Sequence, residues 1–380
     1  MDNIYKSDEK QNKNVVNLLH ECYNAVIRKG KEKVMKAVVL YSANNFKVVE
    51  DYPKPKAGSN DMILEMKRTA ICGTDIRILE GKKTKSVRYG HVIGHEISGV
   101  ICEAGENVQG YQVGDRVAVE NVIPDGSCAM CVSGHDNICL NRKAIGYEFD
   151  GGFAEYVLLP QEAIEGGNVV KLSDDVSFGE GALIEPLSCC LRGQKNAGVK
   201  FNDVVVIIGA GPIGLMHIIL AKAAGARKVI VSELNEFRRE KAYECGADIV
   251  VNSAEEDLKQ IVMKETDGIG ADVVLIAIGI PQLVNSNLEL VRKTGSVCLF
   301  AGFTKDVMAE IDPNLIHYGE INVCGSSAYK RQDYHEAAQM VMSGAVNLKP
   351  IITKVFKLEE FEEAYQAVKS GKELKVEIEP

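Results

Sequence analysis

Two kinds of hydrophobic pattern follow one another along the chain. From Met35 to about residue 185, short β-type runs are broken by glycine and proline: Lys36–Tyr41, Met62–Ala70, Gly99–Ala104, Asp115–Val119 and Phe153–Leu159. Such runs, with turn residues between them, predict a partly open β-barrel with long loops. From about 190 to 329 the runs Val204–Ile208, Lys228–Ser232, Asp272–Ile276, Gly295–Phe300 and Asn322–Gly325 are almost continuously apolar and alternate with helical segments. A strand that is apolar on both faces suits a parallel sheet covered by helices on both sides. Beyond 330, helical patterns at about Tyr334–Ser343 and Leu358–Val368 and a strand at Leu374–Ile378 read as a return to the first unit. The expected architecture is α/β, with a β-barrel unit at 35–188 and 330–380 and a doubly wound parallel-sheet unit at 189–329. Residues 1–34 stand apart as an extension. Val15, Val16, Leu18, Leu19, Cys22, Tyr23, Val26 and Ile27 recur at helical spacing before a basic stretch from Arg28 to Lys33, which predicts an amphipathic helix.

Composition narrows the classes. The 380 residues are 46% hydrophobic and 26% charged, enough for two cores at roughly 100–200 residues per domain. With 44 basic and 53 acidic residues, net −9, there is no basic excess for nucleic acid or an anionic membrane. No apolar run approaches the roughly 18 residues of a membrane helix. The eleven cysteines are odd in number and unevenly placed, unlike a disulfide scaffold. Met1-Asp2-Asn3-Ile4-Tyr5 starts no apolar signal segment, so a reducing cytoplasm is expected.

The strand Val204–Ile208 runs into Gly209-Ala210-Gly211-Pro212-Ile213-Gly214 and then a helical run to Ala224. This is G-x-G-x-x-G with a strand before it and a helix after, the context a dinucleotide turn requires. Gly209 permits the tight turn, Gly211 the close approach of a pyrophosphate, and Gly214 close packing of helix on strand. Glu233 follows Gly214 by nineteen residues at the end of the next strand, where a carboxylate binds the ribose 2′-hydroxyl and repels a 2′-phosphate. NAD is therefore expected over NADP, and Arg238 is placed to soften that preference.

Two sets of metal-ligating residues stand out. Asp125, Cys128, Cys131 and Cys139 form one cluster, whose spacing suits a closed, four-coordinate structural zinc lobe, with His135 competing for the place of Asp125. The other set is dispersed: Cys72, His95-Glu96 and Glu185. Mixed sulfur, nitrogen and oxygen donors suit a catalytic zinc, yet by spacing alone each has an ordinary use, as a core thiol, a buried histidine or a helix N-terminal acid.

Taken together, Cys72-Gly-Thr-Asp, Gly94-His95-Glu96, Gly114-Asp115-Arg116-Val117, the cysteine lobe, Gly151-Gly152-Phe153-Ala154-Glu155-Tyr156 and the 209–214 turn resemble the zinc-dependent medium-chain dehydrogenases. The resemblance runs from about Met35 to Pro380. Glu96 after the histidine and the Glu185-Pro186 pair are similar to the polyol and threonine dehydrogenase branch. It implies a GroES-like catalytic domain and a Rossmann domain with a cleft between them. It also implies that Cys72, His95 and Glu96 hold catalytic zinc, that Glu185 holds the metal or its water, and that Thr74 takes the proton of the bound alcohol. Cys128, Cys131 and Cys139 match structural ligands, whereas Asp125 stands where the family usually has a cysteine. Arg77 stands where it often has a histidine for outward proton transfer.

The activity expected from the resemblance is reversible hydride transfer between NAD and a secondary alcohol, with a polyol or sugar alcohol as substrate. A polyol phosphate is the next expectation, since Arg77 and the Lys330-Arg331 pair offer cations for an anion, and threonine the third. A zinc- and NAD-binding protein without turnover is the competing class; the complete set of Cys72, Thr74, His95, Glu96 and Glu185 speaks against it. By analogy with the family, segments near Val297–Phe303 and Ile321–Ser326 are expected to join copies into a homodimer or homotetramer.

Overall fold

The computed structural model describes residues 33–303 and 307–380. The helix expected in the extension lies outside the described residues, apart from its junction with the strand Val34–Ser42.

The parallel unit is a six-stranded sheet. Its order is Ile249–Val251, Lys228–Ser232, Val204–Ile208, Ala271–Ile276, Val291–Leu299 and Asn322–Gly325, all parallel. Counted along the chain this is three-two-one-four-five-six, with the switch point between the first strand and the fourth. The strand Val204–Ile208 shows why the apolar pattern gives this layer. All five residues are buried, Val205 and Ile207 in the core on one face and Val204, Val206 and Ile208 in the core on the other. Each such side chain contributes about 1.5–3 kcal/mol by leaving water, so neither face can be left uncovered.

The barrel unit is mostly antiparallel. Its main sheet runs Val169–Lys171, Arg116–Val119, Glu96–Ala104, Met62–Ala70, Lys375–Glu379 and Ile352–Lys357, and Tyr156–Leu159 also pairs with Met62–Ala70. Its last two strands run parallel to each other. A second sheet holds Asn45–Pro53, Val34–Ser42 and His91–Val92.

The two units are not independent. The helix Ile184–Ala197 crosses the expected boundary at 188/189 without interruption and ends at Gly198 in the left-handed region. One core holds Ala70, Ala118 and Leu172 of the barrel together with Val205, Ile207 and Leu275 of the parallel sheet. The helix Arg331–Met342 packs along Ile184–Ala197 in this shared core, so the chain rejoins the barrel sheet only at Ile352–Lys357. Among the described residues no helix is long and apolar enough to cross a membrane.

Candidate active site

Cys72 caps the N-terminus of the short helix Gly73–Leu79, directly after the strand Met62–Ala70. Its N–H donates to Asp75 Oδ2 at 2.9 Å, and the Asp75 N–H donates to the Cys72 carbonyl at 3.0 Å. The other Asp75 oxygen lies 3.2 Å from His95 Nδ1, an ion-pair contact rather than an aligned hydrogen bond. One buried carboxylate therefore positions both the thiol and the imidazole, and by facing Nδ1 it leaves Nε2 as the ring's available donor atom. His95 is delivered by a turn at Gly94 with φ of +100°, where an added Cβ would press on the Phe153 ring at 3.0 Å. Glu96 opens the strand Glu96–Ala104 opposite Ala70. As a result, ligand atoms of Cys72, His95 and Glu96 lie within 4.8 Å of one another.

Both Glu96 oxygens are 2.5 Å from Nζ of Lys375, which also donates to the Ile71 carbonyl at 3.3 Å. The pair is buried, Lys375 4% exposed and Glu96 0%. Burial disfavours the ammonium, yet Glu96 and Cys72 beside it raise its pKa above the ordinary value. Glu185 lies in the first turn of Ile184–Ala197 and does not join the three-donor set. It still faces the same charges: burial first, then Glu96, pushes its carboxyl up to about 7 against the pull of His95 and Lys375. Thr74 is partly exposed in the first turn of Gly73–Leu79, next to Asp75. The Tyr147 ring stands 5.7 Å from the His95 ring; no sequence signal marked Tyr147 or Lys375 as parts of this site, and Asp75 was marked only as the end of the Cys72-Gly-Thr-Asp motif, with no role.

This donor set fits zinc. One thiol, one imidazole and one carboxylate gathered within 4.8 Å, the last two buried, supply the sulfur, nitrogen and oxygen donors that suit a zinc ion. When bound there, zinc would supply Lewis-acid polarisation of an alcohol oxygen.

The lobe is assembled by a tight loop. Cys128 Sγ lies 3.6 Å from Cys131 Sγ and 3.8 Å from Cys139 Sγ, and Asp125 completes a set within 4.8 Å. The Asp125 carboxylate accepts N–H bonds from Cys128 and Ser127 at 3.0 Å and from the Asn141 amide at 2.7 Å, which hold it far below the usual carboxylate range. Packed together, the thiols perturb one another: the Cys131 thiol is pushed up to about 12, first by burial and then by Cys128. His135 is exposed, contacts the Ser133 hydroxyl at 3.2 Å, and is outside the set. Metal analysis is expected to give about two zinc ions per chain, falling to about one in Cys131→Ser; about one zinc in both proteins would show that the lobe binds none.

The glycine turn closes at the switch point of the parallel sheet. Gly209 has φ of +95°, and a Cβ on Gly214 would lie 1.9 Å from the Gly209 carbonyl oxygen. Above Gly211 there is open space, with no heavy atom within 4 Å of where a Cβ would be. This open cradle, at the start of the helix Pro212–Ala223 with Ile213 and Gly214 in its first turn, fits a nucleotide pyrophosphate. Glu233 does more than its spacing implied. One oxygen accepts the Ala210 N–H at 2.8 Å and the other the Asn235 N–H at 2.9 Å, so the carboxylate also braces the turn. Arg238 is tied by Nη2 to the Gly371 carbonyl at 3.2 Å, which reduces its freedom to meet a 2′-phosphate. Glu233→Ala is expected to narrow the ratio of kcat/KM for NAD over NADP and to raise KM for both; an unchanged ratio would remove Glu233 from cofactor discrimination.

Comparison with known proteins agrees with this geometry. Residues 58–174 match the model of the alcohol dehydrogenase GroES-like domain, and residues 212–343 that of the zinc-binding dehydrogenase. The chain is 35% identical to sorbitol dehydrogenase of Halalkalibacterium halodurans over 352 residues, covering 91% of this chain and 99% of that one. It is 37% identical to L-threonine 3-dehydrogenase of Pyrococcus furiosus over 347 residues, 90% of this chain and 97% of that one. The fold is similar to a zinc-binding dehydrogenase of Sinorhizobium meliloti 1021 bound to NADP, with TM-score 0.85, 32% identity and coverage of 92% and 100%. With both domains matched and the relatives covered nearly end to end, the chain belongs to the zinc-dependent medium-chain dehydrogenases, NAD(P)-dependent oxidoreductases built from a GroES-like and a Rossmann domain.

Proposed function

We propose that this enzyme oxidises a secondary alcohol of a polyol or sugar alcohol with NAD, reversibly, at zinc held by Cys72, His95 and Glu96, with Glu185 on the metal or its water. The observation that carries the reading is the convergence of those three donors within 4.8 Å. Thr74, in the first turn of the helix that Cys72 caps, takes the alcohol proton. An acidic, hydrogen-bonding site suits a carbinol flanked by further hydroxyls, and the sorbitol dehydrogenase relative acts on such a substrate. The threonine dehydrogenase relative favours L-threonine as the second reading. Oxidation rates of the zinc-loaded enzyme with NAD across sorbitol, other polyols and L-threonine test the assignment. A polyol should give the highest kcat/KM; turnover of threonine alone would replace the first reading by the second.

The same proposal extends to assembly and compartment. Among the described residues the strand Asn322–Gly325 ends the six-stranded sheet with one edge unpaired, a place where a second copy extends the sheet into a homodimer, or a homotetramer built from two. The ten cysteines of the described residues are all free, as in a reducing cytoplasm.

A further inference from the structure

We propose that the mouth of the active site is an anion-binding corner made by Lys83 and Arg142, with Arg77 at its edge, and that the alcohol oxidised here carries a phosphate or carboxylate. This deepens the proposed oxidation of a secondary alcohol, whether of a polyol or of threonine, and rests on it. The corner is built from two loops. After the helix Gly73–Leu79, the N–H groups of Lys82 and Lys83 both donate to the Arg77 carbonyl, at 2.8 and 3.0 Å, and fold the loop back. Arg88 then donates to the Glu148 carbonyl at 2.6 Å, joining this loop to the one that carries Arg142 and Tyr147. The Lys83 ammonium lies 4.4 Å from the centre of the Tyr147 ring, and that ring lies 5.7 Å from His95. A cation is thus held one aromatic ring away from the candidate zinc ligands. From the other side, the Arg77 guanidinium reaches within 3.8 Å of where a Cβ on Gly302 would be, so it spans from the catalytic to the Rossmann domain.

These cations lack what nearby ones have. Lys82 is 2.7 Å from Glu80, Lys369 is 3.0 Å from Glu80, and Arg68 is 2.9 Å from Glu379. Among the described residues, Lys83, Arg142 and Arg77 have no carboxylate within ion-pair distance. Lys83 is half-buried, and its proton affinity is pulled down first by burial and then by Arg142, while Asp75 only partly offsets this. A partly desolvated ammonium beside a guanidinium is an unfavourable arrangement in isolation and a favourable one around anionic oxygens. By contrast, Arg331 of the Lys330-Arg331 pair suggested by the sequence is committed elsewhere: it lies 3.4 Å from Glu120 and donates to Asn168 Oδ1 at 3.0 Å.

A phosphate ester of a polyol and the carboxylate of a hydroxy amino acid share this chemistry, and the test separates them. The zinc-loaded enzyme with NAD is assayed on a polyol and its phosphate monoester, and on L-threonine and L-threonine amide, with inorganic phosphate as a competing probe. The anionic member of at least one pair is expected to exceed its neutral counterpart in kcat/KM by roughly tenfold or more. That gain should shrink about tenfold in Lys83→Met and in Arg142→Gln, and inhibition by inorganic phosphate should weaken in parallel. Which pair shows the gain identifies the anion. Arg142 is exposed, so Arg142→Gln keeps the test open if Lys83→Met fails to fold. Equal kcat/KM within both pairs, with phosphate inhibition unchanged in Arg142→Gln, would overturn the proposal. If no alcohol is oxidised at all, the polyol reading fails, while calorimetric binding of inorganic phosphate to wild type and Arg142→Gln still decides the corner.

Discussion

Replacing Cys72 by serine is expected to lower kcat by at least about a thousandfold while leaving NAD affinity within about twofold. The sulfur is one of three donors within 4.8 Å, and it sits at the start of a helix whose next residues, Thr74 and Asp75, belong to the same site. Serine keeps the backbone arrangement, in which the Cys72 N–H is held by Asp75, so the helix should form as before. What changes is the donor: a hydroxyl in place of a thiolate binds zinc weakly, and the polarisation of the alcohol is lost with the ion. The glycine turn belongs to the other domain and should bind NAD as well as it does in the wild type. NADH absorbance gives kcat, calorimetry gives NAD affinity, and metal analysis should show the loss of about one zinc per chain. Wild-type kcat in the variant would detach Cys72 from the chemistry altogether.

Replacing Lys375 by methionine is expected to cost about 3–5 kcal/mol of stability, the largest effect anticipated for a residue that touches no substrate. Glu96 has no solvent exposure, and Lys375 meets both of its oxygens, so in the zinc-free protein the variant strands a buried carboxylate. The companion change Glu96→Gln tests that cause. In the double variant the stranded charge is gone, and most of the stability should return although activity does not. Urea denaturation of the four proteins of this cycle measures the coupling. A stable Lys375→Met protein, or a double variant no better than the single, would mean that the pair does not secure the site.

Much of this was legible in the sequence wherever neighbouring residues act together. Five of the six parallel strands were legible within a few residues because burial on both faces leaves a continuous apolar run, as in Val204–Ile208, whereas the short edge strand Ile249–Val251 carries too little pattern to be read. The lobe was legible because Cys128, Cys131 and Cys139 share one loop, and its spacing named the three thiols that come together while leaving Asp125 and His135 as rivals for the fourth place. The catalytic donors were different. Cys72, His95 and Glu96 are joined by strand pairing between Met62–Ala70 and Glu96–Ala104, a long-range register that spacing does not encode, and only the resemblance brought them together. Lys375 carried no local signal at all, since an isolated lysine in a final strand looks like an ordinary edge charge. Nor could pattern show that Glu233 braces the turn it follows, because its bond to Ala210 depends on the two strands lying side by side.

The position of Lys375–Glu379, between Met62–Ala70 and Ile352–Lys357, also bears on how the molecule is made. During synthesis the strands Met62–Ala70 and Glu96–Ala104 leave the ribosome long before Lys375–Glu379, and the Glu96 carboxylate precedes its counter-ion by 279 residues. The nucleotide domain has by then had its full length available and can fold first. A nascent chain arrested just short of Lys375–Glu379 would therefore hold a complete cofactor platform beside an unfinished reaction centre.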